Sequence, residues 1–332
     1  MNEIATDTAL EELPQINHET TPTVWVVIVT WNRADAVISC LISLNALTYP
    51  NFKVVVVDNG STDGTVQKLR DIFPSLDIIA NSRNQGYTGG NNAGIEHALR
   101  HGAAYVLIIN NDTRVHPRLI DELVAVAESD PRIAVVGGKA LWAHQPRRIW
   151  AAWCELTYGP MLTRVYGRDA IDSPFYQQVR DVGQVVGCGY MWRREALEDV
   201  GLLDTSFFGY HEDVDWCYRA RCNGWRVVYA GNAIIYHTGS LSTDSQFRES
   251  MPMMYFLGRN AVLFTKKHSN PWRLAQITFA AALGSLHRVW RGQPGAARGE
   301  RLFWQGFRDG LANRNRQTNF RFEPPAAERS QA

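Results

Sequence analysis

The chain has 332 residues, 45% hydrophobic and 20% charged, which is enough apolar material for one large core or for one domain with an appendage. Its formal net charge of +1 excludes a general electrostatic attraction to nucleic acid. The five cysteines, at 40, 154, 188, 217 and 222, are odd in number and show no C-x-x-C spacing, so reduced thiols of a cytosolic protein are expected rather than a disulfide frame or a zinc site.

Residues 1–22 read as a loose, polar leader without the pattern of a signal peptide. Val24 to Thr30 is a continuous apolar run and predicts a strand buried on both faces. Residues 35–47 place Val37, Ile38, Leu41, Ile42 and Leu44 at helical spacing. A second buried strand, 54–57, ends in the turn-and-cap cluster Asp58 to Gly64. A helix over 65–73, a strand over 76–80 and a helix over about 90–101 follow. The strand 105–109 ends in Asn110, Asn111, Asp112 and Thr113. Pro117 suits the first turn of a helix reaching about Ser129, and 133–137 is a fifth strand. This alternation predicts an α/β domain with a mostly parallel sheet covered on both faces. Ligands of such sheets sit at the carboxyl ends of the strands, where the polar clusters 30–33, 58–63 and 110–113 fall.

The second half is less regular. Residues 140–182 are rich in aromatics and turn formers and are expected to cover the sheet. Strands are expected over 183–192 and 225–229 with a helix over about 213–222 between them, then helices over 253–267 and 271–291. No internal repeat of 20–50 residues is present. The longest uncharged apolar-leaning run, Leu274 to Leu286, is too short to span a bilayer, and basic residues dominate from Arg288 to Arg321.

Four places carry chemistry. Asp58, at a strand end, either accepts the N3–H of a uracil or thymine ring or merely caps its own turn. Asp112 offers the carboxylate oxygen that a hard divalent cation shares with a diphosphate, or caps a helix. Glu212 and Asp213 open a helix, whose N-terminus favours an ionised carboxylate suited to a general base, although first-turn acidity is common; Asp215 reads as acidity of that ordinary kind. His237 follows an apolar run and either completes a metal site or is structural. A nicotinamide oxidoreductase needs G-x-G-x-x-G after the first strand, where Thr30-Trp-Asn-Arg33 stands. A nucleotidyltransferase would show a glycine- and lysine-rich phosphate loop there. A non-catalytic sugar- or partner-binding module is the remaining alternative, against which the intact Glu212-Asp213 pair speaks.

Taken in order, the runs Val27 to Asn32, Val55 to Asp63, Asn84-x-Gly86, Leu107 to Thr113, Gly209 to Trp216, His237 and Tyr255-x-x-x-Arg-Asn260 resemble the inverting glycosyltransferase family 2, and most its rhamnosyltransferase-like branch. The resemblance covers about residues 24–265. It implies a GT-A fold over 23–250, with a C-terminal helical extension and basic tail over 251–332. It also implies that Thr30, Trp31, Asn32, Asp58, Asn84, Asn110 and Asn111 line a nucleotide-sugar site, Trp31 stacking on the base and Asn110 facing the ribose. Asp112 and His237 would hold Mg²⁺ or Mn²⁺. Asp213 would be the base, with Glu212 orienting it or the acceptor. Asn110 stands where the family commonly has Asp, so modest metal affinity is expected until a diphosphate arrives. The implied partners are a TDP- or UDP-linked sugar, rhamnose being favoured, and a glycan or lipid-linked acceptor. Residues 272–291 combine Leu274, Ile277, Phe279, Leu283, Leu286 and Trp290 with Arg273, Arg288 and Arg291. They fit either a helix packed on the domain or peripheral contact with the inner face of the cell membrane.

Overall fold

A computed structural model describes residues 21–238, 251–290 and 296–314. Most of the expected leader, the stretch around the expected boundary at 250 and the basic tail from 315 lie outside the described residues. The first half alternates as the periodicity requires: β1 (Val24–Thr30), α1 (Ala34–Leu44), β2 (Phe52–Asp58), α2 (Thr65–Ile72), β3 (Asp77–Ala80), α3 (Gly86–Arg100) and β4 (Tyr105–Asn110). Then come β5 (Thr113–Val115), α4 (Leu119–Glu128) and β6 (Ile133–Trp142). Helix α3 starts earlier than expected, because the Asn84 side-chain oxygen accepts the Gly86 amide at 2.8 Å and supplies a local start signal.

The expectation of an irregular cover over 140–182 is corrected. That segment completes β6 and adds β7 (Gln145–Ala151), β8 (Cys154–Gly159), β9 (Leu162–Val165) and β10 (Val179–Asp181). β7 turns back on β6, β8 pairs with β9 in a separate hairpin and bridges to Gln184 through Cys154, and β10 joins the sheet edge. Their pairing is tertiary, and their mixed polar and aromatic composition conceals it from a local reading. The next strand, β11 (Gly189–Arg193), is shorter than expected and runs into α5 (Arg194–Val200). After α6 (Glu212–Cys222), β12 (Arg226–His237) is far longer than the 225–229 expected, because an irregularity between Ala230 and Ile234 interrupts its apolar pattern without ending the pairing. The chain closes with α7 (Met251–His268), α8 (Pro271–Trp290) and α9 (Ala296–Leu311).

The main sheet runs β10-β12-β6-β11-β4-β1-β2-β3, with β5 beside β12 and β7 beside β6. β3, β2, β1 and β4 are parallel, β11 is antiparallel to its neighbours, and β12 is parallel to β6. Alternate residues of β1 feed opposite layers. Val24, Val26 and Ile28 pack with α1 and α4, while Trp25 and Val27 pack toward α3 and α6. A third cluster joins Ile277 and Ala281 of α8, Val262 and Phe264 of α7 and Phe303 and Phe307 of α9 to Leu162, Phe207 and Val214. α7 and α9 touch backbone to backbone, since a Cβ at Gly306 would run into the Tyr255 carbonyl.

Candidate active site

Register sets the first part of the site. Thr30 lies beside Asp58, and Val29 beside Asn110, so three strands deliver polar residues to one carboxyl edge. Asp58 is buried, and its Oδ2 accepts the Ser61 amide at 2.9 Å. Its Oδ1 is buried with no hydrogen-bond partner among the described residues. Turn capping therefore uses one oxygen and leaves the other as an acceptor that a ring N–H would satisfy. Asn32, with φ 50°, clamps the same turn: its amide donates to Ser61 Oγ at 2.8 Å and its Oδ1 accepts the Thr62 amide at 2.8 Å. Asn111 Nδ2 donates to the buried Thr30 Oγ1 at 3.0 Å, so these two brace each other across the strand ends. Trp31 is half-buried beside them. Asn84 is tied inward, accepting from Asn59 Nδ2 at 3.2 Å as well as from Gly86.

The second part is assembled across the sheet. Antiparallel pairing of β5 with β12 puts Thr113 opposite His237. Thr238 then donates its amide and hydroxyl to the Asp112 carbonyl at 3.1 and 2.7 Å. The outcome is His237 Nε2 at 3.6 Å from Asp112 Oδ1. His237 is buried and stacked on Trp150, ring centres 4.2 Å apart at 10°, with the Arg168 guanidinium 4.6 Å from the Trp150 ring. Burial lowers its proton affinity more than Asp112 raises it, so the imidazole is neutral and its lone pair available. Among the described residues no cluster of three or more His, Cys, Asp or Glu forms a complete cage. One carboxylate with one imidazole fits an ion that takes its remaining ligands from phosphate and water.

The third part is the loop entering α6. Phe208, Tyr210 and His211 all have left-handed backbone, at φ 63°, 66° and 68°. Such residues cost about 1–3 kcal/mol each and persist only when over-determined by their surroundings. The restraint comes from α7. Asn260 Nδ2 reaches the carbonyls of Phe207, Gly209 and Tyr210 at 2.8–2.9 Å, and Arg259 Nη1 donates to the Ser206 carbonyl at 2.8 Å. Gly86 lets this loop approach α3, because any Cβ there would strike Phe208.

Past the loop, Glu212 is buried with Oε2 unpartnered among the described residues. Asp213 accepts the Val214 amide at 2.8 Å on Oδ1 and Gln184 Nε2 at 3.1 Å on Oδ2. Burial raises both carboxyls. Asp213, helped by these two donors, rises only to about 6, whereas the neighbouring Asp213 charge pushes Glu212 well above the usual carboxylate range. The arrangement therefore favours the proton on Glu212 and the charge on Asp213. Burial also keeps His211 neutral, its imidazole lowered to about 4. Asp215 is not ordinary first-turn acidity. It is fully buried, and although burial disfavours its charge, His268 (2.6 Å), Lys267 (2.8 Å) and Arg219 (2.8 Å) together hold it near 2.

Tyr87 and Gly187 join the parts. The Tyr87 hydroxyl lies 3.0 Å from Asn110 Oδ1 and 3.0 Å from the Gly187 carbonyl. A Cβ on Gly187 would come 3.0 Å from Asp213 Oδ2. Sequence reasoning missed Tyr87, Gly187 and Gln184. Tyr87 follows directly on the Asn84-x-Gly86 motif; Gly187 and Gln184 carry no local signal.

Residues 22–254 match the family described as "Glycosyltransferase like family 2". The chain is 29% identical over 272 residues to N-acetylglucosaminyl-diphospho-decaprenol L-rhamnosyltransferase of Mycobacterium tuberculosis, covering 75% of this chain and 86% of that protein. It is 24% identical over 257 residues to dTDP-rhamnosyl transferase RfbF of Shigella flexneri, covering 76% of this chain and 83% of that one. In fold it is similar to the mannosyltransferase PcManGT of Pyrobaculum calidifontis, solved with GDP-Man and Mn²⁺, at TM-score 0.55 and 17% identity over 89% of this chain and 88% of that one. With the matched segment spanning most of the chain, and with this sheet and its carboxyl-edge site, the protein belongs to the glycosyltransferase-like family 2 and has the GT-A fold.

Proposed function

We propose that the protein transfers a sugar, with inversion, from a TDP- or UDP-linked donor to a hydroxyl of a glycan or lipid-linked acceptor in cell-surface polysaccharide synthesis. The observation that carries this reading is the pairing of two unlike half-sites on one sheet edge. Asp58, Asn110, Asp112 and His237 offer acceptors and ligands for a nucleoside diphosphate and its cation. The Glu212–Asp213 pair offers one charged and one protonated carboxyl, linked to Asn110 through Gly187 and Tyr87. Rhamnose is favoured because two relatives carry rhamnosyl transfer in their names, one of them with a dTDP-linked sugar and the other with a lipid-diphosphate acceptor.

In this reading Asp58 Oδ1 takes the pyrimidine N3–H, and Trp31 stacks on the base. Asn32 and Asn84 hold the loops that frame it, Thr30 and Asn111 brace the strand ends, and Asn110 faces the ribose. Asp112 and His237 hold Mg²⁺ or Mn²⁺, which when bound supplies Lewis-acid stabilisation of the leaving diphosphate. The acceptor hydroxyl donates to Asp213. Its oxygen bonds to the anomeric carbon as the bond from that carbon to the phosphate oxygen breaks, and the proton passes to Asp213. Glu212, protonated, orients the acceptor by donating to it. The reducing environment implied by five free thiols fits the cytoplasm.

Calorimetric titration with TDP and UDP, with and without Mn²⁺, tests the donor side. Metal-enhanced binding that disappears in Asp112→Ala is expected. Equal affinity with and without metal, unchanged in that variant, would remove Asp112 from the site.

A further inference from the structure

Helix α8 carries a face that the sugar-transfer reading does not use. Trp272, Phe279, Leu283, Leu286 and Trp290 are 83, 67, 51, 68 and 83% exposed. At 3.6 residues per turn these five fall within an arc of about 60°, on a stripe about 27 Å long. Ile277 and Ala281, which bury α8 against the domain, point the opposite way. Large aromatics at both ends of an exposed stripe are unusual for a face turned to water.

The charge around the stripe selects its occupant. Between Pro271 and Arg301 the sequence has five arginines and one glutamate, Glu300, which pairs with Arg288. Arg273 lies on Tyr158 of the β8–β9 hairpin, 4.6 Å from its ring, and Arg301 is exposed at the start of α9. An apolar stripe with terminal tryptophans and a basic surround matches the boundary layer of an anionic bilayer, where indole rings sit at the headgroups and arginines meet lipid phosphates. No helix among the described residues is long and apolar enough to cross a membrane, so the contact is one of lying on the surface.

We propose that α8 docks this protein flat on an anionic lipid surface. The docking face is coupled to the candidate site. The underside of α8 shares its apolar cluster with Phe207 and Val214, which flank the Tyr210–Asp213 segment. Gly284 sits against Pro160, at the tip of the same hairpin that contributes Leu162 to that cluster. The helix that would meet the lipid surface therefore rests on the same apolar cluster that supports the loop before Asp213.

Flotation of the full-length protein tests this without nucleotide, so its failure is separable from failure of the sugar-transfer reading. Vesicles containing phosphatidylglycerol are expected to carry the protein, and phosphatidylcholine vesicles far less. Trp272→Ser, Phe279→Ser and Trp290→Ser combined should reduce binding about tenfold or more, with an unchanged melting temperature because all three side chains are exposed. Three outcomes overturn the proposal: protein that stays in the aqueous phase with both lipids, undiminished binding by the triple variant, or a solution dimer that the triple variant splits, which would make this face a contact between two copies.

Discussion

The two halves of the candidate site are held by different means. The end proposed to bind the nucleotide hangs on strand termini, where parallel register alone puts Thr30 beside Asp58 and Val29 beside Asn110. The base end is a loop with three non-glycine residues in left-handed backbone, kept in place by one asparagine of a helix about fifty residues further along. A strand terminus is rigid because the whole ladder fixes it, so side-chain changes there should alter binding without moving the backbone. A strained loop keeps its shape only while its restraints last, so it should fail through geometry. Under the proposed function the division also parallels two tasks: one end would bind a large charged ligand, and the other would hold a carboxylate in position to take a proton.

The largest expected effect separates the ends outright. Asp213→Asn should lower kcat by roughly 10²–10⁴-fold, while TDP and UDP affinity stays within about twofold. Steady-state transfer assays beside calorimetry read both, and an active variant would refute the assignment of the base. Next in size, Asn260→Ala removes the donor to three loop carbonyls. Activity should fall roughly 10- to 100-fold through displacement of Asp213, again with nucleotide binding retained. A parallel loss of nucleotide affinity would show that the halves are not independent. The smallest effect is a shift in pH dependence. Transfer needs ionised Asp213, whose carboxyl lies near 6, so the rate should fall as pH drops through about 6. Gln184 donates to its charged form, and Gln184→Leu should move that acid limb upward by about one pH unit, measured as kcat/KM against pH. A downward or absent shift would break the link between Gln184 and the base.

Legibility followed the same division. Asp58 and Asn110 could be picked out because each ends a buried apolar run, and Asp112 because it follows two residues later; the end of a run is a local signal. Glu212 and Asp213 were visible as a helix start, but their raised proton affinities were not, since these come first from burial, and the Gln184 donor that helps hold Asp213 below Glu212 lies 29 residues away. Asp215 shows how a local reading fails. It is one of three acids in the first turn of α6, yet Lys267 and His268 come from the far end of α7 to bury it. Gln184 and Gly187 fall in a segment expected to be a strand, but the structure begins β11 only at Gly189, and α9, which packs Phe303 and Phe307 into the third cluster and meets α7 at Gly306, lies in a stretch read as a basic tail.

What the sequence determined by itself was the alternation of strands and helices, the polar residues at the strand ends, and the existence of helix α8, whose apolar residues the structure divides: Leu274 and Ile277 pack on the domain, while Phe279, Leu283, Leu286 and Trp290 are exposed. All three are periodicities or boundaries within about twenty residues, the range over which backbone geometry alone relates side chains. The tertiary structure decided which ends meet. The pairing of β5 with β12 brought Asp112 to His237, the reach of Asn260 fixed the loop before Asp213, and Tyr87 joined Asn110 to the Gly187 carbonyl. Those contacts join residues tens to more than a hundred positions apart. Their energies come from burial and from hydrogen bonds that exist only once the sheet and its covering helices have closed.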